Sequence, residues 1–337
     1  MTKKGEVMNK RYLFPIVLAL LAIVALLLFF PPPADKADTP DPTPTITETP
    51  APTPPPVTEP PPTNPLPVPE VGVLESPYVF VYNSGTETMY YLSGGEDTRI
   101  APASLTKLLT ALVALEVLKP DEVITVGSEV SLIDPSSSVA YISRGHKLRV
   151  DMLIEGLLLQ SGNDTAYTLA AAAGRKLANN PDLSAKGAVR RFVEYMNHRA
   201  LEMGLTNTHY ENPDGIDGED HYTCLADLVT VSVLAMENAT IRKYVAMPSH
   251  FVTYESGQTI TWSNTNELLH SSSKYYCADA VGLKTGTTTK AGNCLISAFP
   301  KDGGYLFIGV LGGASYYGRY KDTLALYDLY KDYKPYN

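Results

Sequence analysis

Ser104 and Lys107 stand three residues apart at the head of an apolar run, Leu105 to Leu118, directly after Pro102-Ala103. A serine hydroxyl is inert until a base removes its proton, and no histidine lies near this one in sequence. A lysine three residues on projects from the same face of a first helical turn, but it can act as a base only when neutral. Burial and a second nearby cation both drive a lysine towards that state. A serine at a helix start also meets free backbone N–H groups and the positive end of the helix dipole. Taken alone, Ser104 reads equally as an ordinary N-cap residue. A second copy of the spacing, Ser271-Ser272-Ser273-Lys274, sits in a polar serine run with no apolar helix behind it and reads as loop.

Two further words carry chemistry. Ser161-Gly162-Asn163 lies between apolar runs, Val150 to Leu159 and Ala166 to Leu177, where a polar loop can be held over a cleft. There the Ser161 hydroxyl could relay a proton to a leaving amine and the Asn163 amide could hold a carbonyl, with Asp164 capping the following helix. Lys284-Thr285-Gly286-Thr287 reads as a strand edge. Gly286 lets another backbone lie close, Thr285 and Thr287 offer hydroxyls, and Lys284 offers a fixed positive charge suited to a free carboxylate. The same charge would serve as the second cation acting on Lys107. Singly, these words are also a helix-linking turn and a Lys-Thr-Gly turn. In this order, 57 and then 123 residues apart, they form a set: nucleophile and base, proton relay, anion clamp.

The elements that must position them follow from patterning. Tyr78 to Tyr82 and Thr88 to Leu92 are β-rich runs around Asn83-Ser84-Gly85-Thr86, a hairpin. Leu105 to Leu118 is a helix stopped by Pro120, and Val189 to Met203 an amphipathic helix closed by Gly204. Strands Cys294 to Phe299 and Tyr305 to Leu311 flank Asp302-Gly303-Gly304, and a helix over about Tyr320 to Asp332 ends the chain. Strands at both ends with helices between them predict an α+β fold: one antiparallel sheet assembled from the two ends, flanked by helices, with an inserted helical subdomain.

The first 71 residues are of another kind. Tyr12 to Phe30 is almost wholly apolar, and its nineteen residues at ~1.5 Å each approach the ~30 Å core of a bilayer. Lys3, Lys4, Lys10 and Arg11 precede it and no Lys or Arg follows before Lys36. The expectation is a cytoplasmic N-terminus (1–11), a single-pass anchor (12–30) and an extracytoplasmic remainder. A cleaved signal peptide fits less well, because the apolar run ends in Phe29-Phe30-Pro31-Pro32-Pro33 rather than in small residues. Seventeen of the 27 prolines lie between Pro31 and Pro69, so 31–71 reads as a disordered Pro/Thr-rich spacer holding a catalytic domain, 72–337, away from the membrane. A formal net charge of −9 argues against nucleic acid as a partner. Cys224, Cys277 and Cys294 lack metal-ligand spacing and read as free thiols, although a Cys277–Cys294 disulfide is conceivable outside the cell. No metal or other cofactor is expected.

From Tyr78 to about Tyr330 the chain resembles the low-molecular-mass serine-type D-alanyl-D-alanine carboxypeptidases of the penicillin-binding group. The resemblance rests on Ala101-Pro102-Ala103-Ser104-Leu105-Thr106-Lys107, Leu158-Leu159-Gln160-Ser161-Gly162-Asn163-Asp164, Asn212-Pro213-Asp214-Gly215, Asn264-Thr265-Asn266-Glu267-Leu268-Leu269 and Gly282-Leu283-Lys284-Thr285-Gly286. It implies a β-lactamase/transpeptidase-like fold and a peptidoglycan stem peptide as substrate, with β-lactam antibiotics as inhibitors. It further implies that Ser104 attacks the carbonyl between two D-alanines while Lys107 takes its proton, and that the oxyanion meets the backbone N–H groups of Ser104 and Thr287. An arginine after the last strand would meet the substrate carboxylate, and Arg319 fits that place. Many members also carry a second β-rich domain and a C-terminal anchor, a role the N-terminal segment would take over here. A D,D-endopeptidase or a class A-like β-lactamase would use the same three words. A zinc peptidase would need more than His209 and His221 around an acidic loop, since no His-Glu-x-x-His occurs. A catalytically dead wall-binding module would not need Ser104, Lys107, Ser161 and Lys284 intact.

Overall fold

Two separate stretches of sequence supply one sheet. In the computed structural model, which describes residues 68–335, β1 (Tyr78–Asn83) and β2 (Thr88–Ser93) form the expected hairpin. The late strands β7 (Leu283–Thr288), β8 (Gly292–Lys301) and β9 (Gly304–Gly313) join it in the order β2-β1-β9-β8-β7, with every neighbour antiparallel. β7 is therefore an edge strand, as its sequence predicts.

The alternation along β8 and β9 explains why the sheet is covered on both faces. Leu295, Phe299, Leu306, Ile308 and Val310 pack with Tyr320, Leu326 and Tyr330 of the last helix, α7 (Gly318–Tyr330). Ile296, Ala298 and Phe307 point the other way into the main core, with Phe80 and the helical region. Strands buried on both faces read as nearly continuous apolar runs, which is how β8 and β9 appear in sequence. The chain ahead of β1 is fastened to α7, where the Asp322 carboxylate accepts the backbone N–H groups of Glu75 (3.2 Å) and Ser76 (2.9 Å).

Between β2 and β7 lie the helices. α1 (Thr106–Val117) is apolar nearly all round and accordingly central, packed by α2 (Val150–Leu158), α3 (Asn163–Leu177), α4 (Ala185–Glu202) and α5 (Leu225–Glu237). A short helix, α6 (Ala239–Val245), follows α5. Two small ribbons, β3 (Val123–Thr125) with β4 (Lys147–Arg149) and β5 (Ser249–Thr253) with β6 (Thr259–Ser263), border the helices. The second Ser-x-x-Lys, at 271–274, is loop, and the three cysteines are free. Burial raises the thiols of Cys224 and Cys294 to about 11, which leaves them inert packing groups.

The expected cytoplasmic segment, anchor and all but the end of the spacer lie outside the described residues. Among the described residues no helix is long and apolar enough to cross a membrane.

Candidate active site

The site is built where the helical region meets the edge of the sheet. A single 3-10 turn, Ala103–Leu105, precedes α1 and rests on β7. Gly286 makes that contact feasible: a Cβ there would sit 3.0 Å from the Ala103 Cβ and 3.1 Å from the Ser104 nitrogen. From the opposite side comes the Asn212-Pro213-Asp214-Gly215 loop. Gly215 has φ +93°, and a Cβ on it would lie 1.9 Å from the Ala103 carbonyl oxygen. Ala103 itself has φ 49°, an uncommon conformation that costs on the order of 1–3 kcal/mol and persists only where the surroundings enforce it.

Lys107 lies one turn along α1 and is fully buried. Its Nζ donates to Ser104 Oγ at 2.8 Å and to the backbone oxygen of Asp214 at 2.7 Å. Burial pushes the Lys107 ammonium down to about 8, against the opposing pull of Asp214 and Asp164. Lys284, also buried, is driven well below its ordinary value by desolvation, then by Lys107 and Arg319. The expectation that Lys284 would be the cation depressing Lys107 therefore needs correction. Burial does that work, and the repulsion between the two lysines is expressed on Lys284. For two such coupled groups, one proton is readily shed by the pair.

Arg319 is 2% exposed, which excludes a solvated helix-start arginine. Its Nη1 donates to the Gly286 oxygen, Thr287 Oγ1 and the Cys294 oxygen, each at 3.2 Å. Its guanidinium lies 4.3 Å from the ring centre of Tyr316 and 5.2 Å from that of Tyr320. Thr287 Oγ1 also donates to the Gly286 oxygen at 2.8 Å. Thr285 Oγ1 meets Thr265 Oγ1 at 2.5 Å, and the Thr265 N–H in turn donates to the Leu159 oxygen at 3.1 Å. Thr265 thus links β7 to the loop that carries Ser161.

That loop is held stiffly. Ser161 has φ 57° and is 5% exposed, and Asn163 is 4% exposed. Neither side chain hydrogen-bonds to Ser104, Lys107 or Lys284 among the described residues. Asp164 is not the cap of α3, which begins three residues before the expected Ala166, after Gly162. Its buried carboxylate instead accepts the N–H groups of Ala140 (2.8 Å), Ile142 (3.0 Å) and Thr165 (2.9 Å), fastening the 140–142 segment beside the loop. A cavity of about 870 Å³, lined by Thr287, Thr288, Lys290, Arg99 and Asp220, opens beyond the end of β7; Ser104 and Lys107 do not line it.

The acidic loop between His209 and His221 is a brace. Asp217 accepts Thr288 Oγ1 at 2.6 Å and the Lys290 N–H at 2.9 Å. His221 Nδ1 accepts the Glu211 N–H at 3.1 Å, so in the neutral ring Nε2 carries the hydrogen and donates to Thr106 Oγ1 at 3.0 Å. Burial holds His221 at about 4, and with both nitrogens engaged it is unavailable to a metal. Sequence reasoning missed Asp214, Thr265 and Tyr316 as neighbours of the site. The first two stand inside conspicuous Asn-Pro-Asp-Gly and Asn-Thr-Asn words, the only signal available.

A serine bonded to a buried lysine of lowered pKa, beside a strand edge with cations at hand, is an arrangement capable of acyl transfer to serine; the class is a serine peptidase. Comparison with known proteins is specific. Residues 78–315 match the D-alanyl-D-alanine carboxypeptidase family, peptidase S11, and the chain belongs to it. The D-alanyl-D-alanine carboxypeptidase of Streptomyces sp. (strain K15) is 34% identical over 253 residues, 72% of this chain and 83% of that one. The crystal structure of the Streptomyces K15 DD-transpeptidase superposes with a TM-score of 0.68 at 31% identity, covering 77% of this chain and 97% of that one. Penicillin-binding protein D2 from Listeria monocytogenes, in its ampicillin-bound form, gives 0.61 at 27% identity over 76% and 97% of the two chains.

Proposed function

We propose that this family member hydrolyses the bond between the two terminal D-alanines of a peptidoglycan stem peptide through an acyl-enzyme on Ser104. The observation that carries the reading is the 2.8 Å contact between Ser104 Oγ and the buried Lys107 Nζ. A lysine titrating at about 8 is neutral in a useful fraction of molecules near neutral pH, as a general base must be. In the first step neutral Lys107 takes the hydroxyl proton as Ser104 Oγ bonds to the penultimate carbonyl carbon. The oxyanion is met by the N–H groups of Ser104 and Thr287. The carbon–nitrogen bond then breaks, and Ser161 relays the proton held on Lys107 to the departing amine of D-alanine, leaving Lys107 neutral, while Asn163 holds the acyl portion. Lys284, Thr285, Gly286 and Thr287 of the β7 edge, with Arg319 of α7 beside them, receive the terminal carboxylate. Water, deprotonated by the same base, releases the shortened peptide and restores Ser104.

A β-lactam would acylate Ser104 by the same first step, in keeping with the ampicillin-bound relative. The apolar segment 12–30 and the proline-rich 31–71 support a membrane-tethered enzyme working extracytoplasmically at the wall. A second reading, acyl transfer to an amine instead of water, draws on the transpeptidase name of a structural neighbour. Mass spectrometry of muropeptides incubated with the full chain separates these readings. Loss of one terminal alanine from a pentapeptide monomer, with a cross-linked dimer left intact, is the expected result. Dimer cleavage alone would make the protein an endopeptidase, and a larger transfer product would favour the second reading. Ser104→Ala should lower penicillin acylation by at least ~10³-fold; an adduct persisting on that variant would overturn the assignment.

A further inference from the structure

Asp214 is 1% exposed, yet among the described residues its carboxylate is nearly unpartnered: Oδ1 accepts only the Ile216 N–H at a long 3.4 Å, and Oδ2 is buried without a hydrogen-bond partner. Such a group is costly to bury and calls for a reason. Its backbone oxygen, 2.7 Å from Lys107 Nζ, fixes the residue beside the lysine, and Gly215 locks the loop onto the Ala103 carbonyl. We propose that Asp214 is a positioning residue for the acylation step, whose side-chain charge sets the protonation state of Lys107 and hence the pH at which Ser104 becomes reactive. This rests on the reading of Ser104 and Lys107 given above.

The groups facing Lys107 are known from each packed element. Asp164 comes from α3 and pulls in the same direction as Asp214 but more weakly. Its oxygens are occupied by three backbone N–H groups, so its charge is already dispersed. Lys284 comes from β7 and repels, with Arg319 of α7 behind it. Tyr167 of α3 faces Asp214, and its hydroxyl stays protonated because burial and that carboxylate raise it. The exposed Asp134 acts on Asp214 from outside. The Asp214 carboxylate has only one long hydrogen bond among the described residues, so it is the less satisfied of the two; burial raises its own pKa and Lys107 is the first group to oppose that rise.

The test is the pH dependence of acylation by a fluorescent penicillin, measured between pH 5 and 10 on the full chain. The wild-type rate should climb through an acid limb centred at about 8. In Asp214→Asn, which keeps shape and backbone carbonyl, the limb should move down by about one unit. The rate at pH 6, relative to that variant's own plateau, then rises about tenfold. Asp214→Glu should keep the wild-type limb. Asp214→Ser is a second neutral variant should the amide prevent folding, judged by thermal unfolding. A limb unmoved in the neutral variants, whatever their plateau rate, overturns the proposal while leaving the acyl-enzyme intact. A wild-type chain that no penicillin acylates at any pH would overturn both.

Discussion

Two buried lysines lie within electrostatic reach of each other, and their surroundings are opposite. Lys107, on the helical side, has its ammonium held by Ser104 and the Asp214 carbonyl, with two carboxylates within electrostatic reach. Lys284, on the strand side, bonds among the described residues only to the Thr285 oxygen at 3.1 Å, and the charges acting on it are both positive. Neither lysine forms an ion pair among the described residues. A lysine tuned by nearby carboxylates can exchange its proton, which suits a base. A lysine beside other cations gains most when an anion arrives, since binding restores the charge that burial and repulsion suppress. Under the proposed function the helical side would serve proton transfer and the strand side the holding of a carboxylate, and substitutions can test that division.

Among the effects that separate the two lysines, the largest expected one lies on the strand side. Lys284→Ala should lower kcat/KM for a D-Ala-D-Ala peptide by about 100-fold, the scale of a lost charged hydrogen bond of ~3 kcal/mol. It should cost little towards an analogue whose terminal carboxylate is an amide. Equal losses on both substrates, read by steady-state kinetics, would remove the division between the two lysines.

A smaller effect is expected where Tyr316 and Tyr320 stack on Arg319. Removing one such cation–π contact costs ~1 kcal/mol, so Tyr316→Leu should raise KM for the carboxylate substrate about fivefold and leave kcat nearly unchanged. Tyr316→Phe should behave as wild type. A drop in kcat with KM untouched would move Arg319 from substrate holding to some other task.

A further effect concerns stability rather than catalysis, on the helical side. His221 is kept neutral in the fold, its pKa lowered from 6.5 to about 4. The unfolded chain therefore binds the extra proton between those values, and stability present above pH 6.5 is lost as pH falls towards 4, by at most roughly 3 kcal/mol. Asp164 and Asp214, raised by burial, act in the opposite sense, so the comparison is with a variant. His221→Gln should flatten the acid-side decline in denaturant midpoints over that window, and parallel curves would place the cause elsewhere.

Much of the framework is legible without coordinates. The hairpin, the central helix, the long amphipathic helix and the edge strand with Lys284 follow from period-two and helical spacing, with Gly and Pro marking the ends. Other elements were not. β3 and β4 are three residues each, too short for alternation to register. α5 carries three valines and a threonine, which suit strands as well as helices, so its sequence alone does not settle its type. α3 begins early because Asn163, Asp164 and Thr165, poor helix formers in isolation, are buried and bonded there.

By itself, then, the sequence determines which groups can do chemistry: three short words in order, each in a local context that nearest-neighbour physics can read. Tertiary structure alone decides what tunes them. Asp214 reaches Lys107 across 107 residues, His221 reaches Thr106 across 115, and Arg319 reaches the Gly286 carbonyl across 33. Desolvation, which sets the lysine pKa values, belongs to the closed core rather than to any segment. A residue's type is local, but its charge state depends on everything packed around it.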